Sequence, residues 1–241
     1  MTLGIIIQAR SGSKRLPSKI FLTIDKKTIL ERVISQVKKL KIKKKIIIAT
    51  TKNKKDYAIV NLAKNNSCQY FRGSSSNVLK RYYDTAKKFN IKTIVRICSD
   101  SPFIDPKIIE KCIKIFKSKK YDYVSNIIKP SYPVGMSCEV ISLNALTKAY
   151  FAETDYTEKE HVTPYIYRNP KKFRNKNIRI KKDLSNYRLA VDYIEDYSAA
   201  IEIFKKIKNK KNYNYKDLVN ILAKYKSIRK INLNKKTTLR Y

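Results

Sequence analysis

The sequence predicts an α/β fold in which a mostly parallel central sheet carries helices on both faces. Two observations indicate this fold: four apolar runs in the N-terminal half each have the pattern of a buried strand, and each is followed by an amphipathic segment with helical spacing. Strand-then-helix units in succession favour parallel strands joined by right-handed crossovers. The length of 241 residues suffices for one large domain with a buried core. We therefore expect a single domain over residues 1–226 and a basic C-terminal tail with little periodicity at 227–241.

Each predicted element of the N-terminal half has its own sequence signal. Ile5, Ile6 and Ile7 form an uninterrupted apolar run, which is typical of a strand buried on both faces. Thr28 and Glu31 have the spacing of a capping box, so we expect a helix to begin after Thr28. Proline at position 106 suits a first helical turn. The predicted strands cover 5–7, 46–49, 68–71 and 93–98, and the predicted helices cover 29–40, 57–64, 78–89 and a segment from Pro106.

The pattern changes from Tyr121 onward, where shorter segments of mixed character replace the regular alternation. The predicted strands are YDYVSN (121–126), SCEVIS (137–142), NIRI (177–180) and YRLAVD (187–192). The predicted helices are Leu143–Phe151, Glu158–Arg168, Ile194–Ile207 and Lys216–Tyr225. The sequence contains no long linker that would separate these segments into a second domain.

The chain is strongly basic, with 55 Lys and Arg against 19 Asp and Glu and a formal net charge of +36. Such a charge attracts nucleic acids, anionic lipids and phosphate-rich metabolites. A nucleic-acid-binding module should concentrate its charge, whereas Lys is spread here over nearly every predicted helix. Lys, Asn, Ile and Tyr are abundant and Gly and Trp are scarce, which is typical of a compositionally biased, AT-rich genome. Compositional bias is therefore favoured over nucleic-acid binding, which stays as an alternative.

The four cysteines indicate neither a zinc site nor a disulfide framework, because no CxxC pair and no histidine at zinc-ligand spacing is present. Reduced thiols are the expectation. No apolar run approaches the ~18 residues that a membrane-spanning helix needs, and the N-terminus lacks the pattern of a signal peptide. We expect a cytoplasmic protein without a membrane span.

A loop rich in small and cationic residues, QARSGSKRLPSK, follows the first predicted strand. Ser11, Gly12 and Ser13 let backbone N–H groups approach an anion, and Arg10 and Lys19 can cover a polyphosphate from two sides. Neither GxxxxGK[ST] nor GxGxxG occurs, so the loop belongs to neither of those phosphate-binding motifs. A basic surface loop would explain the same residues.

Two aspartates stand at predicted strand ends. Asp100 follows the most apolar strand, and Asp192 ends YRLAVD. Ligands of parallel α/β sheets bind beyond the carboxyl ends of the strands, where such carboxylates can hold Mg²⁺ over a phosphate. Each aspartate could instead be a helix N-cap or a turn residue. Together with the cationic loop, the pair favours a nucleotide site.

Six segments over roughly residues 3 to 200 occur in the order of a known family's motifs: IIIQARSGSKRLPSK, FRGSSSNVLKRYYD, VRICSDSPFIDP, YPVGMSCEVIS, EKEHVTPYIY and RLAVDYIEDY. In this order they resemble the cytidylyltransferases that activate acidic sugars, the acylneuraminate and 3-deoxy-manno-octulosonate cytidylyltransferase superfamily. The likeness is strongest to members of the spore coat polysaccharide biosynthesis type. It implies a Rossmann-like nucleotide-diphospho-sugar transferase fold and the transfer of CMP from CTP to an acidic sugar, with release of pyrophosphate.

The resemblance also implies roles for individual residues. Arg10, Lys19, Asp100 and Asp192 would be catalytic, with Mg²⁺ held by Asp100 and Asp192. The nucleotide would be bound by Gln8, Ala9, Arg10, Ser11, Gly12, Ser13, Lys19, Arg72 and Gly73, with Arg72 at the cytosine edge. Glu139, Glu160 and His161 would lie on the acceptor side. A homodimer is implied, with dimerisation and acceptor-side elements at about 121–170.

Departures from the family pattern leave the acceptor open. Ser18 stands where the family commonly has glycine, and Asn77 and Lys80 replace residues that are often acidic. The run at Val134–Ser137 replaces a more polar one beside the acceptor. The alternatives are a nucleotidyltransferase of the same fold with another nucleotide or a phosphorylated or phosphonate acceptor, and a nucleic-acid-binding protein. The only histidine, His161, is either a general base or, as we favour, a packing residue beside the sugar pocket.

Overall fold

The computed structural model describes residues 2–118, 120–152, 155–210 and 212–235. Its main sheet has seven strands in the order β5-β4-β1-β6-β8-β7-β9, and β2 and β3 form a separate hairpin. The strands are β1 (Leu3–Gln8), β2 (Thr23–Ile24), β3 (Lys27–Thr28), β4 (Lys45–Thr51), β5 (Gln69–Gly73), β6 (Thr93–Cys98), β7 (Tyr123–Ser125), β8 (Glu139–Ser142) and β9 (Asn175–Asn177).

The helices of the described residues cover both faces of this sheet. They are α1 (Ile29–Lys38), α2 (Tyr57–Asn65), α3 (Val78–Lys88), α4 (Pro106–Lys117), α5 (Leu143–Phe151), α6 (Tyr156–His161), α7 (Pro164–Arg168), α8 (Ile194–Ile207), α9 (Tyr215–Lys224) and α10 (Lys226–Ile231). The predicted capping box is present at the start of α1, where Thr28 and Glu31 bond reciprocally. Asp105 caps α4, and Pro106 occupies its first turn.

The sheet is mixed but mostly parallel. Strand β1 pairs in parallel with β4 and β6, and β4 pairs in parallel with β5. Strand β8 runs antiparallel to both β6 and β7, and β7 pairs in parallel with β9. The carboxyl ends of β5, β4, β1 and β6 therefore meet at one edge, and the predicted α/β fold class is confirmed.

The sheet separates two apolar cores because successive side chains of a strand point to opposite faces. Ile5 and Ile7 of β1 contribute to the larger core, which α1, α4 and α8 cover. Ile6 contributes to the smaller core, which contains side chains of α3 and α5. By the same alternation Gln8 and Arg96 lie on the face of the smaller core, beneath α3.

Three predictions for the C-terminal half are wrong in detail. Residues 187–192 form no strand, since only Arg188 makes a single bridge, to Val134. The helix predicted at 158–168 is two helices, because the buried Val162 between them has φ +75° and interrupts the helical backbone. The strand predicted at 177–180 lies instead at Asn175–Asn177.

The tail also contains more structure than its sequence suggested. Helix α10 lies at 226–231, with Ile228 buried, and Asn232 donates a hydrogen bond to the buried Asp196 at 2.9 Å. These contacts attach the segment to α8. Residues 236–241, the end of the predicted tail, lie outside the described residues.

Candidate active site

The first loop (residues 9–19) is fixed by a buried carboxylate. Asp56 accepts hydrogen bonds from the backbone N–H and the hydroxyl of Ser11 at 2.8 and 2.6 Å, and also from the hydroxyl of Thr51. The loop closes through a hydrogen bond from Ser18 N to Ser11 O at 2.9 Å. Ser18 has φ +55°, a left-handed conformation that glycine adopts at no steric cost.

A cavity of about 420 Å³ opens beside the first loop, beyond the carboxyl ends of β1 and β6. Its lining combines cationic residues of the loop with residues that follow β6, residues 126–137 and the end of α6. The charged lining residues are Arg10, Lys14, Arg15, Lys19, Arg81, Arg96, Asp100, Glu160 and Asp192. More cations than carboxylates face this space, so the cavity suits an anionic ligand.

Lys19 lies at the centre of the charged lining. Its ammonium donates to Asp100 Oδ2 at 3.1 Å, to Asp192 Oδ1 at 2.8 Å and to the carbonyl of Val191 at 2.8 Å. The residue is only 8% exposed, and burial alone would lower the pKa of Lys19. The two carboxylates outweigh burial and raise that pKa, so Lys19 stays charged. One buried ammonium thus joins the two aspartates that the sequence predicted as partners.

Cations surround Asp192 on both of its carboxylate oxygens. Arg15 contacts Oδ1 at 2.9 Å, and Arg188 contacts Oδ2 at 3.0 Å. Burial opposes the charged form, but Lys19 and Arg15 outweigh it and hold the pKa of Asp192 well below its usual value. Asp196 supports the arrangement from behind, because it accepts from the backbone N–H of Asp192 at 2.9 Å and pairs with Arg188 at 2.7 Å.

Arg10 and Glu160 meet at the mouth of the cavity. Arg10 Nη2 lies 2.7 Å from Glu160 Oε1, so a residue predicted for the nucleotide contacts one predicted for the acceptor. His161 also lines the cavity, as do Gln8, Ala9 and Ser13. Ser11 and Gly12 are absent from the described lining, and Ser11 instead holds the loop to Asp56.

Glu139, predicted on the acceptor side, is absent from the described lining of the cavity. It is 1% exposed and forms a buried ion pair with Arg96. It also accepts hydrogen bonds from the hydroxyls of Tyr123 at 2.7 Å and Thr163 at 2.5 Å. Glu139 therefore ties β8 to β6, β7 and the turn before α7 beneath the site.

Arg72 and Gly73, predicted to contact the nucleotide, are also absent from the described lining of the cavity. Arg72 donates to the carbonyls of Thr51, Lys52 and Asn53 at 3.2, 2.7 and 3.2 Å. Gly73 ends β5, where an added Cβ would lie 2.7 Å from the ring of Phe71. Both residues therefore shape the strand end and do not form the wall of the site.

The structure brings in residues that sequence reasoning did not assign. Lys14 and Arg15 belong to the quoted first loop, and Arg81 and Arg96 lie within two other quoted motifs. Their position in those motifs was the one sequence signal that could have identified them as site residues. Nothing in the sequence indicated that an arginine of α3 would turn inward to the cavity.

Residues 126–137 form the wall opposite the first loop. Asn126 closes this segment, because its side chain donates to the carbonyl of Met136 at 2.7 Å and accepts from the N–H of Cys138 at 2.9 Å. Gly135 has φ +96°, and an added Cβ would lie 2.6 Å from Ala190 N. Only glycine fits this close approach to the segment that carries Asp192.

A family model described as Cytidylyltransferase matches residues 4–239. The chain belongs to the cytidylyltransferase family. This assignment confirms the resemblance to enzymes that activate acidic sugars, and the match extends over the whole site described above.

Three individual proteins are similar to this family member in sequence or structure. The spore coat polysaccharide biosynthesis protein SpsF of Bacillus subtilis (strain 168) is 27% identical over 228 residues, which cover 90% of this chain and 92% of SpsF. A 3-deoxy-manno-octulosonate cytidylyltransferase of Rickettsia rickettsii (strain Sheila Smith) is 28% identical over 159 residues, 63% of this chain and 65% of that enzyme. The solved cytidylyltransferase of Leptospira borgpetersenii serovar Hardjo-bovis (strain JB197) superposes with a TM-score of 0.91 at 33% identity, covering 98% of this chain and 99% of that one.

The described residues contain no cluster of three or more His, Cys, Asp or Glu side chains that could hold a metal ion by themselves. None of their helices combines the length and the apolar character that crossing a bilayer requires.

Proposed function

We propose that this family member transfers CMP from CTP to an acidic sugar, with release of pyrophosphate, in the synthesis of a surface polysaccharide or related glycan. The observation that carries the proposal is the buried Lys19 ammonium, shared by Asp100 and Asp192 beside the cationic first loop. The names of two similar proteins support the acceptor class. One refers to polysaccharide biosynthesis and the other to 3-deoxy-manno-octulosonate, an acidic sugar.

The residues of the chain act by position and charge. In the proposed reaction an acceptor oxygen attacks the α-phosphorus in line, a new O–P bond forms, and the bond to pyrophosphate breaks. Negative charge then grows on the leaving pyrophosphate, where cations fixed in advance lower the barrier most. Arg10, Lys14, Arg15 and Lys19 of the cavity lining would supply them. Because Asp56 fixes the first loop through Ser11, little reorganisation is needed when the triphosphate binds.

Asp100 and Asp192 would hold Mg²⁺ as part of the same proposal. The donor set fits, because Mg²⁺ is usually bound by one or two protein carboxylates together with phosphate oxygens of the substrate. Lys19 holds both carboxylates at one point, and Asp100 Oδ1 accepts only a 3.2 Å hydrogen bond from Ser101 among the described residues. When bound, the ion neutralises phosphate charge and lowers the pKa of an attacking hydroxyl.

We also propose a homodimer formed through elements at about 121–170. Phe151 of α5 is 72% exposed and Tyr156 of α6 is 76% exposed, and both belong to the segment proposed to form the dimer contact. Light scattering coupled to size-exclusion chromatography measures the mass directly. A monomer mass at micromolar concentration would contradict this part of the proposal.

Incubation with CTP and Mg²⁺ and a panel of nonulosonic and octulosonic acids tests the reaction. We expect pyrophosphate release and a CMP conjugate, detected by mass, with at least one of these acids. Parallel reactions with ATP, GTP and UTP test which base the protein selects. This test is needed because Arg72, which the resemblance places at the cytosine edge, is hydrogen-bonded to backbone carbonyls away from the cavity. Turnover with another triphosphate, or with phosphorylated or phosphonate acceptors alone, would contradict the proposal. It would indicate a nucleotidyltransferase of the same fold that uses a different nucleotide or acceptor.

A further inference from the structure

Arg81 on helix α3 is a buried charge without a carboxylate partner. The residue is 1% exposed and lines the cavity, yet none of the ion pairs of the described residues includes it. The one hydrogen bond of its side chain among the described residues goes from Nη1 to the carbonyl of Ser74. Burial lowers the pKa of Arg81, although arginine remains charged at any physiological pH. A buried, uncompensated guanidinium is costly in a folded protein unless a ligand pairs with it.

Two more polar side chains of the lining have unpartnered atoms on the same face of the sheet. Gln8 Oε1, Arg96 Nε and Arg81 Nε are all buried and accept or donate no hydrogen bond within the described residues. Gln8 lies two residues beyond Ile6, which is in register with Arg96 on the neighbouring strand. Helix α3 covers this face, where Tyr82, the neighbour of Arg81, donates to the carbonyl of Ile6 at 3.2 Å. All three residues line the same cavity, and each keeps a buried polar atom without a partner among the described residues.

The charges of the group specify its ligand. Glu139 neutralises Arg96, and Glu160 pairs with Arg10, whereas the charge of Arg81 has no equivalent partner. One positive charge is thus left for a ligand, which fits a monoanion better than a phosphate dianion or a neutral base. Guanidinium N–H groups match carboxylate oxygens, and the amide oxygen of Gln8 requires a donor such as a hydroxyl.

We propose that Arg81, Arg96 and Gln8 form a subsite for a carboxylate and its neighbouring hydroxyl on the acceptor. This assignment rests on the proposed function and deepens it, because it names the side chains that select an acid over a neutral sugar. Arg81 makes the discriminating contact, since its charge is the one left without a partner.

Lactate and lactamide test the subsite without knowledge of the natural sugar. L-lactate has a carboxylate beside a hydroxyl, and lactamide is its uncharged isostere. We expect lactate at tens of millimolar to raise the melting temperature of the wild type by about 2–4 °C over sodium chloride of equal ionic strength, and lactamide to have no effect. Arg81→Met should lose the lactate response and keep the response to inorganic phosphate, which addresses the first loop. The matched control Arg174→Met, at an exposed ion pair with Asp122, should respond to lactate like the wild type.

Three results would overturn the subsite: no lactate response in the wild type, equal responses to lactate and lactamide, or an unchanged lactate response in Arg81→Met. If Arg81→Met does not fold, Arg81→Lys replaces it, because it keeps the charge and loses the planar fork. That variant should bind lactate about tenfold more weakly, and wild-type affinity would count against the assignment. The assay uses no CTP, so failure of the transfer reaction and failure of the subsite can be told apart.

Discussion

The substitution Glu139→Gln separates a structural role from a role in acceptor binding. Sequence comparison placed Glu139 toward the acceptor, whereas the structure buries it against Arg96 with hydrogen bonds from Tyr123 and Thr163. The carboxamide removes the negative charge and leaves the buried Arg96 without its counterion. We therefore expect the main effect in folding stability.

The magnitude follows from the burial of both partners, whose side chains are each 2% exposed. Removing one member of a buried ion pair destabilises a protein by about 3–5 kcal/mol, because the remaining charge is left uncompensated. In a domain of this size each kcal/mol lowers the melting temperature by about 2–4 °C. Glu139→Gln should therefore melt about 6–20 °C below the wild type.

Thermal unfolding followed by circular dichroism measures this change. Glu202→Gln is the matched control, because its pair with Lys205 is exposed and such pairs contribute about 0–1 kcal/mol. At a temperature where the variant is fully folded, the KM for CTP should stay near the wild-type value. A melting temperature within about 2 °C of the wild type would refute the structural assignment.

Four further outcomes are expected. Asp100→Asn should lower the rate of CTP-dependent pyrophosphate release by about two orders of magnitude or more, and near-normal release would remove Asp100 from the catalytic group. Arg72→Ala should leave the KM for CTP within about threefold of the wild type in steady-state assays, since the side chain binds backbone carbonyls. The pKa of Asp192 lies below its ordinary 3.8, so the stability that its charge contributes is complete above that value and is lost as the pH falls through the native pKa. Urea titrations should therefore show a difference in the free energy of unfolding between wild type and Asp192→Asn that is constant at about pH 5–8 and becomes smaller below about pH 4. Fluorescence anisotropy at physiological salt should show only weak binding of duplex DNA, and tight, steeply salt-dependent binding would restore the nucleic-acid alternative.

Sequence patterns predicted the parallel half of the fold well, because each of its elements satisfies a local rule. The apolar run at Ile5–Ile7 can only be buried, and the capping box at Thr28 fixes the start of α1 within its own four residues. The C-terminal half depends on contacts between distant residues. Val162 has an ordinary strand-forming side chain, and only the packing around it holds the backbone at φ +75° and divides the predicted helix.

The candidate site shows the same limit. Lys19 and Asp100 could be grouped from the sequence, because parallel topology brings the loops after the neighbouring strands β1 and β6 to one edge. Asp192 joins them although residues 187–192 form no strand. Side-chain direction could not be predicted in this way. Arg72 and Arg81 are both arginines near the end of β5, but only Arg81 belongs to the described lining of the cavity. The side chain of Arg72 instead donates hydrogen bonds to the carbonyls of residues 51–53.

The closure of residues 126–137 by Asn126 separates this wall of the cavity from the strands that precede and follow it. One amide side chain joins both ends of the segment, while hydrogen bonds of Val134 and the buried Ser131 attach its middle to residues 180–189. A chimaera that keeps Asn126, Ser131, Val134 and Gly135 and exchanges the residues between them for those of another cytidylyltransferase should fold normally. Exchanges at these positions could in this way change which acceptor is bound while the first loop is left intact.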